Sequence, residues 1–123
     1  MKKAKSKAYY RNRCDRLIQE IMLLTHDKCL VCGKPNQVAH HYFAKARCGN
    51  LRFNFKNLIN LCKGCHLKLH TGDPSIQNEI NRIKGDEWLK DLTKARNKFV
   101  KIDITYYRNM VKTLELLTPY KTK

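Results

Sequence analysis

The stretch Asn57-Leu58-Ile59-Asn60-Leu61-Cys62-Lys63-Gly64-Cys65-His66-Leu67-Lys68-Leu69-His70 decides how this chain folds, once it is set against Cys29-Leu30-Val31-Cys32 upstream. Two Cys-x-x-Cys pairs can close one tetrahedral zinc site through four thiolates. Here they tie together segments separated by 29 residues. That interval is long for a zinc finger and leaves room for a strand, a loop and a second strand. A purely structural zinc site needs no imidazole beyond its ligands. Yet His40, His41, His66 and His70, four of the five histidines, fall within this framework or directly behind it. The pattern predicts a stapled scaffold with a second metal site, the alternative being four unrelated buried thiols.

Working outward, Cys29 to Lys34 reads as a metal-binding knuckle in which Gly33 supplies a permissive backbone. Gln37 to Phe43 reads as a short strand, Lys45 to Asn50 as a basic loop, and Asn57 to Leu61 as a second extended piece. Cys62 to His70 reads as a short helix stopped at Thr71-Gly72, which puts two thiolates at the positive end of a helix dipole. His66 and His70, four apart, then share a helix face and can share a cation; a solvated or capping pair is the alternative. His40 and His41 are neighbours in a strand, where successive side chains point to opposite faces. Either the strand is irregular there or only one of the two serves the site, with core packing the alternative for His40.

The flanks read as helices. Residues 1–6 form a basic tail. A helix follows from Lys7 to Leu24, with Cys14, Leu17, Ile18, Ile21 and Leu24 on one stripe. Asp73-Pro74 starts a helix that Gly85 stops, and Asp86-Glu87-Trp88-Leu89 opens another with Trp88, Leu89 and Leu92 as core. Asp103 caps a last helix to about Leu117, carrying Ile104, Tyr107, Val111, Leu114 and Leu117 or Leu116 at helical spacing. The expected fold is α+β, mainly α. It has one domain over 7–117, a zinc-stapled module at 28–72 and a helical extension at 73–117.

The 123 residues carry 26 Lys+Arg against 10 Asp+Glu, a formal net charge of +16. Such an excess implies a polyanionic partner, bound through phosphate neutralisation and counterion release. An anionic membrane surface would also attract it, but no apolar run approaches the roughly 20 residues of a membrane span. The basic N-terminus lacks the apolar stretch of a signal peptide, so a reducing cytoplasm is expected, where Cys-x-x-Cys pairs hold metal more often than disulfides. Cys14 and Cys48 have no partner at ligand spacing and read as a core residue and an incidental loop residue. Lys45, Arg47 and Arg52 flank the proposed site and suit phosphate contacts, against the plainer reading of solvated surface charge. Tyr9, Tyr10, Tyr106 and Tyr107 are candidates for base stacking or for core packing.

At His41, Asn57 and His66 the spacing resembles that of the His-Asn-His (HNH) endonucleases, built as a two-stranded hairpin and a helix around one divalent cation (the ββα-metal, treble-clef-like fold). Asn57-Leu58 followed by Cys62-Lys63-Gly64-Cys65-His66 is similar to that family's signature. Leu51-Arg52-Phe53-Asn54-Phe55-Lys56-Asn57 and Ile83-Lys84-Gly85-Asp86-Glu87-Trp88 resemble the phage recombination nucleases called NinG or Rap. The resemblance implies hydrolysis of phosphodiester bonds in branched DNA, with His41 as general base and Asn57 bracing the loop. It also implies that His66, His70 and His40 hold the catalytic cation (Mg²⁺, Mn²⁺ or Ni²⁺), beside a structural zinc on Cys29, Cys32, Cys62 and Cys65. Where most HNH members carry an acid before the base, this chain has His40; an all-imidazole set favours ions softer than Mg²⁺. Asn54 reads either as a residue near that cation or as a turn former. Two readings compete: a non-catalytic zinc-stapled DNA-binding module, and a sequence-specific homing or restriction nuclease. Paired nicks at a junction would make a homodimer convenient.

Overall fold

Two strands of four residues each sit at the centre of a mainly helical α+β chain, described by a computed structural model over residues 4–45 and 49–118. The order is α1 (Lys7–Thr25), β1 (Val38–His41), β2 (Leu58–Leu61), α2 (Lys63–His70), α3 (Pro74–Lys84), α4 (Asp86–Arg96) and α5 (Ile104–Leu117). The strands pair antiparallel, Val38 opposite Leu61 and His41 opposite Leu58. The connection between them carries two short 3₁₀ turns, Gly49–Leu51 and Phe55–Asn57.

Local chemistry sets most helix ends. Ser6 accepts from the Tyr9 N–H at 3.1 Å, and Asp103 accepts from the Tyr106 N–H at 2.9 Å, so each caps a helix start. Asp73 caps α3, with Pro74 in the first turn. Gly85, at φ 87°, ends α3 and turns the chain straight into α4 in a conformation that a side chain would strain.

The sheet is the middle layer. All four residues of β2 are buried, and their alternation divides the core in two. Leu58 packs with Leu17, Ile18, Ile21, Tyr107 and Leu114 between α1 and α5. Ile59 and Leu61 face the other way, against Cys29, Cys62, Cys65, Ile76 and Ile80. Leu24 and Ile104, expected in the core, are exposed instead, as are Leu116 and Leu117; α1's buried stripe finishes at Met22. Leu92 is buried, whereas Trp88 and Leu89 are half-buried, because α4 covers the connection between the strands rather than the sheet.

Both edges of the ribbon are covered. On the outer side of β1, Gln19 of α1 accepts from the Ala39 N–H at 3.0 Å and donates to the Ala39 carbonyl at 2.9 Å, imitating a neighbouring strand. On the outer side of β2, the Leu30 N–H donates to the Asn60 carbonyl at 2.8 Å. The Asn60 amide in turn donates to the Lys28 carbonyl at 2.6 Å. The first cysteine knuckle thus serves as an edge.

No helix among the described residues is long and apolar enough to cross a membrane. Ile59 is fully buried in the layer behind the knuckle. Ile59→Ala is therefore expected to lower unfolding stability by about 2–5 kcal/mol. Leu24→Ala should change it by less than about 1 kcal/mol, since Leu24 already faces water. Urea midpoints at unchanged slope measure both.

Candidate metal centres

The four cysteines of the two pairs converge as their spacing predicts. Their Sγ atoms all lie within 4.8 Å of one another, with Cys32 and Cys62 only 3.5 Å apart. A tetrahedral zinc with bonds of about 2.3 Å places its sulfurs about 3.8 Å apart, so the set fits the ion. The knuckle is shaped by its own backbone: the Cys29 N–H donates to the Lys34 carbonyl at 2.7 Å and the Gly33 N–H to the Cys29 carbonyl at 3.1 Å. Gly33 adopts φ 76° there, which a β-carbon would strain. Cys62 caps α2, its Sγ accepting from the Cys65 N–H at 3.4 Å.

This environment favours the thiolate at Cys62 and Cys29. The Cys65 N–H draws the Cys62 pKa down. Burial works against ionisation of Cys29, but the N–H groups of Cys32, Cys62 and Val31 outweigh it and bring the group to about 7. Cys65 moves the other way, raised by burial and by its sulfur neighbours. Four negative charges cannot crowd together without a cation, so loading the cluster must expel protons.

A second cluster lies at the junction of β1 and α2. His66 and His70 face each other, Nε2 to Nε2, at 2.9 Å. The ring of His40 stands 5.2 Å from His66 and 5.8 Å from His70, centroid to centroid. All three offer nitrogens within 4.8 Å of one another. An octahedral ion at about 2.1 Å sets adjacent ligands about 3 Å apart, so the His66–His70 pair fits one cation. Burial, reinforced by His66, His70 and His41, pushes the His40 pKa down to about 4. Burial lowers His66 too, with His70 adding to it. Rings held neutral keep lone pairs for a metal, and protons in their place would repel one another.

His41 points elsewhere, as alternation along a strand requires, yet borders the same cleft. Its Nε2 is 2.9 Å from the Arg52 carbonyl. A carbonyl only accepts, so Nε2 carries the proton and Nδ1 is left with its lone pair. Burial holds the His41 pKa below the usual imidazole value, and the Arg52 carbonyl partly opposes this. A cleft of about 340 Å³ is lined by His40, His41, His66 and His70 together with Lys45, Ala44 and Gln19.

The connection that carries Arg52 is clipped by Asn57, which is fully buried. Its side chain accepts from the Phe43 N–H at 2.8 Å, and donates to the Phe43 carbonyl at 3.0 Å and the Leu51 carbonyl at 3.3 Å. These bonds end β1 at His41, two residues short of the expected Phe43. Asn54 proves to be the turn former: its side chain accepts from the Lys56 N–H at 2.9 Å.

Arg52 is not disposed as a phosphate contact. Its guanidinium makes a bidentate pair with Asp15 of α1, Nε to Oδ1 at 2.8 Å and Nη2 to Oδ2 at 2.6 Å, and its side chain is only 17% exposed. The residue therefore works through both ends, anchoring α1 with its side chain and orienting His41 with its carbonyl. Lys45 does border the cleft. Arg47 and Cys48 lie outside the described residues. Cys14 is a core residue whose thiol is pushed up to about 11 by burial. Of the tyrosines, Tyr107 is buried, Tyr10 and Tyr106 pack beside it, and Tyr9 is exposed under Lys5.

Gln19 and Asp15 escaped the sequence reading. Asp15, an acid set between Arg13 and Arg16 in a strongly basic chain, was the available signal; nothing local marks Gln19. No known family model matches the chain, and no curated protein or solved structure is significantly similar to it.

Metal analysis is expected to find one zinc per chain that survives Cys14→Ser and is lost in Cys62→Ser. Chelation should make the freed thiolates take up protons and lower the melting temperature together; a chain that melts unchanged after losing zinc would show that the thiols are not a staple.

Proposed function

We propose that this protein is a metal-dependent DNA endonuclease of the HNH type, whose structural zinc on Cys29, Cys32, Cys62 and Cys65 holds a ββα-metal site. Its substrate is branched or recombination-intermediate DNA, as for the NinG or Rap nucleases of phage, where it would act in the host cytoplasm. One observation carries the reading. His41 has its Nε2 proton committed to a backbone carbonyl, which leaves Nδ1 its lone pair, and the residue lines the same cleft as three further imidazoles that converge on one another. A passive DNA-binding module needs neither feature.

In the mechanism, His41 Nδ1 takes a proton from the attacking water, and the Arg52 carbonyl stabilises the imidazolium through the proton on Nε2. Asp15 keeps that carbonyl in place by gripping the Arg52 side chain. Asn57 holds the backbone at Phe43 and Leu51, so the loop ends cannot drift apart as DNA enters. His40, His66 and His70 would hold the cation, which when bound supplies Lewis-acid stabilisation of charge on the phosphate and on the departing 3′ oxygen. Lys45 offers an ammonium at the rim, and the excess of 26 basic over 10 acidic residues gathers the polyanion. The products would carry 5′-phosphate and 3′-hydroxyl ends.

Cleavage of a labelled panel of linear, nicked, flapped and four-way DNA with Mg²⁺, Mn²⁺ and Ni²⁺ tests this directly. His41→Ala is expected to slow cleavage by about 10²- to 10⁴-fold, the usual contribution of a general base, with zinc content and DNA affinity unchanged. His66→Ala should abolish activity with every ion and still retain one zinc. If wild-type protein binds all four substrates and cuts none, the chain is a binding module and the catalytic reading fails.

A further inference from the structure

Residues 97–103, between α4 and α5, carry the most exposed large apolar side chain of the described residues: Phe99 is 91% exposed. The charge around it is predominantly positive, though Lys101 pairs with Asp103 at 3.8 Å. Lys94, Arg96, Lys98 and Lys101 lie in the run 94–101, which contains no acid. A phenyl ring left in water forfeits the burial that ordinarily places phenylalanine inside.

The ring is presented from a span held at both ends. On one side the Asn50 amide donates to the carbonyls of Ala95 at 2.9 Å and of Arg96 and Lys98 at 3.0 Å, gathering the end of α4. On the other, Ile102 packs against the core between α1 and α5, and Asp103 caps α5. Only the few residues around Phe99 stand clear. The span also abuts the connection between the strands: the Arg96 guanidinium sits 4.7 Å from the centre of the Phe43 ring. Two residues beyond Phe43, Lys45 borders the histidine cleft.

A flat apolar ring among cations is complementary to a polyanion that exposes flat apolar faces. Duplex DNA hides those faces in its stack, whereas a branch, flap or nick exposes them, so the ring can stack on a base while the ammonium groups meet flanking phosphates. We infer that Phe99 stacks on an unstacked base at the discontinuity in the DNA, and that residues 97–103 are the element distinguishing branched from continuous duplex. This inference rests on the branched-DNA reading above, but it concerns recognition rather than hydrolysis.

Binding without cleavage separates the two. Zinc-loaded full-length protein, with no other divalent ion added, is titrated into three-way-junction and linear duplex DNA, each carrying 2-aminopurine at the branch or at the matching linear position. Wild-type protein is expected to change the probe's fluorescence at the branch alone and to prefer the junction. Phe99→Ala should lose that signal and weaken junction binding roughly 5- to 150-fold, the usual effect of losing one base–aromatic stack, with linear binding unchanged. Phe99→Trp should restore both. Equal weakening on the two DNAs, or an unaltered branch signal in Phe99→Ala, would overturn the inference. So would loss of binding only to phosphatidylserine vesicles, which would make the ring a membrane anchor. Because Phe99 is solvent-exposed, unchanged melting of the alanine variant is expected. A wild-type branch signal lost in Phe99→Ala, in protein that cuts nothing, would sustain this inference and refute only the endonuclease.

Discussion

A two-stranded ribbon with four residues per strand does not hold together in water unaided. Both candidate centres nevertheless depend on this one, because β1 carries His40 and His41, and β2 leads directly into Cys62 and α2. The ribbon persists because each of its edges and faces is answered by another element. Gln19 satisfies the Ala39 backbone on one edge, and the cysteine knuckle satisfies Asn60 on the other. Leu58 is buried on the helical side, and Ile59 and Leu61 on the sulfur side. The four cysteines, brought together behind that second edge, tie it to the start of α2, the helix on which His66 and His70 stand.

That dependence explains which parts could be read from the residues alone. The sulfur cluster was legible because ligand geometry is reflected in a spacing, two residues within each pair. The caps Asp73 and Asp103, and the stop at Gly85, were legible because they act on neighbours four or fewer residues away. Helix periodicity put His66 and His70 on one face, whereas His40 joined them only through the resemblance to the HNH nucleases. The choice of which neighbour, His40 or His41, turns toward α2 depended on register against β2, which no local signal supplies.

The misplacements share a cause. Arg52 was expected at the surface because arginine usually is, but Asp15, 37 residues away, draws it inward. Leu24, Leu116 and Leu117 continue apolar patterns past the point where their helices still have something to cover. Periodicity reports which face of a helix is apolar, and the length of the opposing layer decides how far along that face burial continues. Trp88 shows the same limit: its indole N–H donates to the Lys56 carbonyl at 2.9 Å and its ring meets Tyr42, so it braces the connection from outside.

The Asn57 clip has a consequence for how such a protein can change. Its side chain hydrogen-bonds to main-chain groups of Phe43 and Leu51, groups that every amino acid but proline can supply. Exchanging side chains along the intervening segment therefore leaves the clasp intact. The side chains between those two anchor points can thus be rewritten by descent while the anchor points themselves, and with them the end of β1, stay inherited.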